Sequence, residues 1–191
     1  MIAGPNGSGK TTLTRQIFAE GRGLGEYINP DEIALGLSGG MAERSRAAQA
    51  EADRRRAAAL AAGRSFAFET VMSHPSKLDV MREARAQGYE FTLYFVGLNH
   101  PYLNIDRVRA RVRRGGHDVP EDRILGRYER TMALLPTAFE IADRAFVFDN
   151  TDSEPAHVLR LVVAKQRGKL IELWPPVPDW VHERLLSKLG A

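Results

Sequence analysis

Apolar and polar positions alternate along this chain in short blocks that predict a regular succession of strands and helices. Met1-Ile2-Ala3 reads as the end of a strand, and Thr12-Leu13-Thr14-Arg15-Gln16-Ile17-Phe18 as a helix. Glu26-Tyr27-Ile28-Asn29 is a short strand stopped by Pro30, and residues 31–37 make one or two helical turns. Residues 41–62 are rich in Ala, Arg and Glu, hold no Pro and end at Gly63, which predicts a long helix. Ser65-Phe66-Ala67-Phe68-Glu69 is the third strand, and Pro75 and Gly88 bracket the next helix. Residues 90–96 form the clearest buried strand, two helices flank Gly115-Gly116, and residues 144–148 form the last core strand. Such alternation predicts an α/β fold, a three-layer sandwich with a mainly parallel central sheet and helices on both faces.

The C-terminal part changes rhythm. Residues 158–164, a turn at 166–169 and residues 170–174 predict an antiparallel hairpin, with a helix over 156–165 as the alternative. Pro175-Pro176-Val177-Pro178 then breaks the chain before a final helix from Asp179. The expectation is one domain over 1–191. Its core spans 1–151, an arginine-rich lid covers about 103–130, and a hairpin and helix follow over 152–191.

Composition narrows the class. A 191-residue chain that is 43% hydrophobic can pack one core. With no cysteine it has neither disulfides nor a thiolate metal site. No apolar run approaches the ~20 residues of a membrane span, and no signal-peptide pattern opens the chain. A cytoplasmic protein without membrane contact is expected. The net charge of +3 is modest but uneven. Arg107, Arg109, Arg111, Arg113, Arg114, Arg123, Arg127 and Arg130 crowd one segment. Such a cluster can contact nucleic acid, grip the phosphates of a small substrate, or simply face solvent.

The N-terminus supplies the chemistry. Gly4-Pro5-Asn6-Gly7-Ser8-Gly9-Lys10-Thr11 matches G-x-x-x-x-G-K-[ST] at every fixed position, between a strand and a helix. Glycines let the backbone fold around an anion with its N–H groups inward, and the helix N-terminus adds partial positive charge. Lys10 would reach the β- and γ-phosphates, and the Thr11 hydroxyl would ligate Mg²⁺. Gly4, Pro5, Asn6, Gly7, Ser8, Gly9, Lys10, Thr11 and Thr12 are therefore the expected ATP-binding residues. Only three residues precede Gly4, fewer than the ~5–6 of an ordinary strand. Either the strand is short or the start lies inside a longer frame. A guanine-reading N/T-K-x-D tetrad is absent. Leu37-Ser38-Gly39-Gly40-Met41 resembles a transporter signature but follows the loop too closely to be one.

Small-molecule kinases remain, and they need a base and several cations. Asp31, in Asn29-Pro30-Asp31-Glu32, ends the second strand at the edge where a parallel sheet binds ligands. It is the candidate base, with an N-cap role as the alternative. Glu32 would sit inside the helix. Glu69 and Thr70 close the third strand and are expected to bond a substrate hydroxyl, Thr70 having a helix cap as its other reading. Arg107, Arg111 and Arg114 share one helix face, opposite Ile105, Val108 and Val112. With Gly115-Gly116 as a joint and His117 beyond, they suit a lid closing over phosphates. Arg127 would join the phosphates or pair with a carboxylate such as Asp31.

Taken together, these pieces resemble the zeta-toxin family of kinases, especially its short stand-alone bacterial members. The resemblance covers residues 1 to about 151. It rests on residues 3–12, 29–32, Phe68-Glu69-Thr70, residues 107–117, Arg127-Tyr128 and Asp149-Asn150. It implies ATP- and Mg²⁺-dependent phosphorylation of a hydroxyl of UDP-N-acetylglucosamine or a related UDP-sugar, and a small antitoxin protein as partner. It implies Asp31 as base, Lys10 and Thr11 as ATP and Mg²⁺ ligands, and Glu69 as a sugar-nucleotide contact. Arg111 stands where the family has its first γ-phosphate arginine. His117 occupies the place of the second, and Arg114 would substitute from the helix end. Thr70-Val71-Met72-Ser73 also departs from the family's pattern. Two other readings stay open at this point: a nucleic-acid-binding ATPase, although few aromatics sit among the arginines to stack bases, and a non-catalytic nucleotide-gated module in which Asp31 is only a cap.

Overall fold

The computed structural model describes residues 1–21, 23, 25–116, 118–151, 159–167 and 169–189. The candidate His117 lies outside the described residues. In order, the elements are β1 (Ile2–Ala3), α1 (Lys10–Ala19), β2 (Glu26–Ile28), α2 (Pro30–Leu35), α3 (Met41–Ala61), β3 (Phe66–Thr70) and α4 (Ser76–Ala86). There follow β4 (Thr92–Gly97), α5 (Pro101–Arg113), α6 (Glu121–Ile141), β5 (Arg144–Asp149), β6 (Arg160–Gln166), β7 (Lys169–Leu173) and α7 (Asp179–Arg184), with a 3₁₀ turn over Leu186–Lys188. The expected α/β architecture is what is found: mostly parallel strands alternating with helices, then an antiparallel hairpin.

The chain divides into two compact units, one formed by Met1–Arg15 with Thr70–Ala191 and the other by Gln16–Glu69. In the first, β1 pairs parallel with β4 and β4 with β5, while β5–β6 and β6–β7 are antiparallel. The hairpin reading therefore holds, and the helical alternative over 156–165 does not, because β6 pairs along β5 from Arg160 to Gln166. Strand β4 is buried along Leu93, Phe95 and Val96, and β6 places Val162 and Val163 fully inside. Helix α5 buries Ile105 and Val108 against Val119 and Ile124, with Val112 and Leu125 partly covered. That is the apolar face expected of it. Lys165 is buried at the end of β6, where its Nζ donates to the carbonyls of Phe139 and Glu140 at 2.6 and 2.8 Å. It thereby satisfies the C-terminus of α6, where carbonyls lack intrahelical partners.

In the second unit β2 runs parallel to β3, with Tyr27 opposite Ala67. Side chains two residues apart share a strand face, so Tyr27 and Glu69 project from the same side. Helix α3 buries Ala48, Ala52, Ala59 and Leu60, together with Arg56, whose guanidinium lies 4.9 Å from the centre of the Phe68 ring.

Candidate active site

The glycine-rich loop runs from β1 into α1. Gly4, Gly7 and Gly9 take φ values of 148°, 71° and 103°, a region that side chains other than glycine's rarely enter. A Cβ on Gly4 would stand 2.2 Å from the Val96 carbonyl oxygen, and one on Gly9 would stand 2.5 Å from Asn150 Nδ2. Both glycines are required by space as well as by conformation. Lys10 Nζ donates to the carbonyls of Gly4 and Pro5 at 2.8 and 2.9 Å, so its ammonium is held over its own loop. The Leu13 N–H bonds the Gly9 carbonyl, and the Thr14 hydroxyl bonds that of Lys10. Thr11 is exposed at the first turn of α1, with Thr12 half-buried beside it. Asn6 Oδ1 and Ser8 Oγ are buried without a hydrogen-bond partner among the described residues. A loop of this shape can hold a polyphosphate, and its orphaned oxygens fit a polar occupant or bound water.

The arginine segment divides in two. Arg107 is half-buried and donates to the Asn150 carbonyl at 2.6 Å. Burial pulls its pKa below the ordinary value, against the favourable field of Asp149. Arg109 spans from α5 to α6, with Nη2 2.5 Å from Glu121 Oε1. Arg111 and Arg114 are exposed at the last turn of α5, where Arg111's carbonyl accepts the N–H groups of Arg114 and Gly116 at 3.0 Å. On α6, Arg127 is half-buried and makes no ion pair among the described residues. Burial, reinforced by repulsion from Arg123 and Arg130, lowers its pKa. An arginine stays charged regardless, so an anion brought to Arg127 would relieve both costs.

Asp149 belongs to the structure of the strand end. Its carboxylate accepts from Trp180 Nε1 at 2.9 Å and Thr151 Oγ1 at 2.6 Å, and pairs with Arg160 at 3.3 Å. Thr70 Oγ1 accepts the Met72 N–H at 3.0 Å, across a turn that holds Met72 at φ 55°. This local turn gives Thr70 a structural partner that its strand position did not foretell.

In the second unit the residues around Asp31 are joined by a directed chain. Asn29 is the N-cap of α2, and its Oδ1 accepts the Asp31 N–H at 2.9 Å. Pro30 takes the first helical position, where its missing N–H costs nothing. Asn29 Nδ2 then donates to the Tyr27 hydroxyl at 3.0 Å, and that hydroxyl donates to Glu69 Oε1 at 2.7 Å. The polarity is forced: a backbone N–H can only donate, so the Asn29 amide nitrogen faces Tyr27 and the phenol proton faces Glu69. Glu69 Oε1 must therefore act as an acceptor. The Asp31 carboxylate is exposed and takes no hydrogen bond or ion pair among the described residues. Its backbone, not its side chain, is what the helix cap uses. Tyr27 and Asn29 were not among the expected site residues, although the order Asn29-Pro30 already pointed to Asn29 as the cap.

Residues 1–135 match the AAA_33 family model, described as an AAA domain. The chain belongs to that family. It is 31% identical over 129 residues to an uncharacterized protein of Haemophilus influenzae, a match covering 65% of this chain and 88% of that one. Among solved structures, the fold is similar to a chain of the AvrRxo1-ORF1:-ORF2 complex with ATP. The TM-score is 0.66 at 15% identity, over 89% of this chain and 59% of that one, so this AAA-domain chain spans well under two thirds of its neighbour's length. It is also similar to a chain from the PezAT chromosomal toxin-antitoxin system of Streptococcus pneumoniae, with a TM-score of 0.56 at 17% identity over 78% and 67% of the two chains. At these identities the neighbours establish the P-loop fold. Among the described residues no helix is long and apolar enough to cross a membrane, and no three His, Asp or Glu side chains gather to hold a metal.

Proposed function

We propose that this AAA-domain protein is an ATP-dependent phosphotransferase of the zeta-toxin type. It would move a phosphoryl group to a hydroxyl of a small nucleotide-like acceptor, UDP-N-acetylglucosamine or a related UDP-sugar. The observation that carries this reading is the identity of the helix cap. Asn29 caps α2, so Asp31 is not explained as a cap and its exposed carboxylate is available as a proton acceptor. A non-catalytic gated module has no such use for it.

Residues 4–12 hold the triphosphate. Lys10 exchanges its bonds to the loop carbonyls for phosphate oxygens. The Thr11 hydroxyl would hold Mg²⁺, which when bound would supply positive charge beside the phosphates. Asp31 orients the acceptor hydroxyl and takes its proton. Glu69, fixed as an acceptor by the Tyr27 phenol, receives a second hydroxyl of the same molecule. Arg111 and Arg114 at the end of α5 stabilise the transferring group, and Arg127 meets a phosphate of the acceptor. Thr70 and His117 complete the acceptor-binding set. A cytoplasmic location follows from the chemistry of such a substrate. A small antitoxin partner is supported by the toxin-antitoxin system among the structural neighbours.

A basic surface for nucleic acid has less support, because Arg107 and Arg109 are engaged internally by the Asn150 carbonyl and Glu121. The test incubates the protein with γ-labelled ATP and a panel of UDP-sugars, other nucleotides and oligonucleotides, with Asp31→Ala as the control. Label on a small acceptor, lost in the variant, is the expected result. Label released only as free phosphate, and equally so in Asp31→Ala, sinks the kinase reading.

A further inference from the structure

Two carbonyls of the glycine-rich loop are gripped by asparagine side chains from remote parts of the chain. Asn104 Nδ2, from the first turns of α5, donates to the Asn6 carbonyl at 2.5 Å. Asn150 Nδ2, just beyond β5, donates to the Ser8 carbonyl at 2.8 Å. Both asparagines are buried, Asn104 completely. The same two residues lie against the glycines that follow. A Cβ on Gly7 would stand 2.8 Å from the Asn104 carbonyl oxygen, and one on Gly9 would meet Asn150 Nδ2.

The consequence follows from peptide geometry. A trans peptide is planar, so the C=O of one residue and the N–H of the next point in opposite directions. Holding the Asn6 carbonyl toward α5 turns the Gly7 N–H away from α5. Holding the Ser8 carbonyl toward the end of β5 turns the Gly9 N–H away from that side. The grip alternates, one peptide in two, and so turns both amide donors away from the side chains that hold the carbonyls. Arg107, one turn beyond Asn104 on the same helix, donates to the Asn150 carbonyl and ties the second clamp to the first. Asn104 is kept inside even though its own Oδ1 finds no partner among the described residues. A buried polar atom left unpaired is costly, so the site retains this side chain for its amide donor. Rotating the amide would set oxygen against oxygen and lose its bond to the Asn6 carbonyl.

We propose that Asn104 and Asn150, the latter steadied by Arg107, are positioning residues that pre-set the Gly7 and Gly9 N–H groups for a polyphosphate before it arrives. The proposal rests on the nucleotide-binding half of the function above and not on the acceptor. Asn104→Ala and Asn150→Ala are titrated calorimetrically with sodium tripolyphosphate and with ATP, and the Gly7 and Gly9 amides are followed by ¹⁵N NMR. Each variant should weaken tripolyphosphate about tenfold. Asn150→Ala should shift and broaden the Gly9 amide more than that of Gly7, and Asn104→Ala should do the reverse. If Asn104→Ala does not fold, Arg107→Gln, which loosens Asn150 from outside the loop, takes its place with Gly9 as the reporter. Folded variants with a lower melting temperature but unchanged tripolyphosphate affinity and amide resonances would overturn the proposal. Wild-type protein that binds tripolyphosphate yet phosphorylates nothing would defeat the kinase reading and leave this one standing. Wild-type protein that binds neither ligand would defeat both.

Discussion

The glycine-rich loop and the Asp31 segment solve the same problem, holding polar groups in place, by opposite means. In the loop the working groups are backbone amides, and the parts that hold them come from far along the chain, at Asn104 and Asn150. Around Asp31 the groups proposed to work are side chains, and their supports lie within the β2–β3 pair and the cap that follows it. A backbone cradle suits a ligand common to many enzymes, because its donors are amides that every residue except proline carries. A side-chain constellation can be altered one residue at a time, which suits a region that selects an acceptor. The comparison predicts that damage to the two regions separates into different kinetic defects.

The largest effects should expose that separation directly. Asp31→Ala should lower kcat by roughly a thousandfold, the scale of a lost general base, while the dissociation constant for ATP stays within about twofold. Lys10→Ala should abolish transfer and also weaken ATP if, as proposed, its ammonium serves binding and transition state alike. Single-turnover rates beside equilibrium ATP titrations check both. An Asp31→Ala protein that loses ATP affinity as severely as Lys10→Ala would erase the distinction between the regions.

Tyr27→Phe tests the acceptor side more finely. The variant keeps the ring that meets Phe18 edge-on at 5.4 Å and removes only the hydroxyl between Asn29 and Glu69. A hydrogen bond to a carboxylate is worth about 1.5–3 kcal/mol, so kcat/KM for the acceptor should fall roughly tenfold to a hundredfold. ATP affinity should not follow. In a Glu69→Ala background the same change should cost little more, because the partner it orients is gone. Full additivity of the two substitutions would show that the relay does not act through Glu69.

How much of this was legible in the residues depended on how far apart the partners lie. The loop announced itself because its glycines, Lys10 and Thr11 are contiguous and each has a local reason. The mixed sheet was legible for a similar reason: the strands carry dense apolar runs, and the turn before Lys169 marks the hairpin. Asn104 and Asn150 were not legible as clamps, since they stand 98 and 142 residues from the carbonyls they hold. Arg107 looked like one of a basic row closing over phosphates, because spacing alone reports which residues share a helix face and not what that face meets. The role of Asn29 was within reach. Proline at the first helical position makes the residue before it the cap, and the chain reads Asn29-Pro30.

Arg111→Ala is expected to have a smaller effect than Asp31→Ala, confined to turnover. Arg111 is exposed at the last turn of α5, beside the Gly115-Gly116 joint. If it meets the phosphoryl group only as charge develops, kcat should fall roughly tenfold to a hundredfold, with ATP affinity nearly unchanged. A loss seen only in ATP affinity would place Arg111 in ground-state binding, on the same footing as the loop.

The smallest expected effect is also the most discriminating, because Asn29 does two things with two ends of one amide. Its Oδ1 caps α2 and its Nδ2 supports Tyr27. Asn29→Ala removes both and should destabilise the protein by about 1 kcal/mol, the ordinary value of a cap, while lowering acceptor turnover. Asn29→Ser retains a capping oxygen but is too short to reach the Tyr27 hydroxyl. Thermal unfolding of Asn29→Ser should therefore return close to wild type, and its acceptor kcat/KM should stay depressed toward the Tyr27→Phe value. Recovery of both properties in Asn29→Ser would mean that the cap alone matters and that the chain from Asn29 through Tyr27 to Glu69 carries no information to the acceptor. Recovery of stability without recovery of turnover would separate the two ends of the amide and tie acceptor selection to this short segment of the second unit.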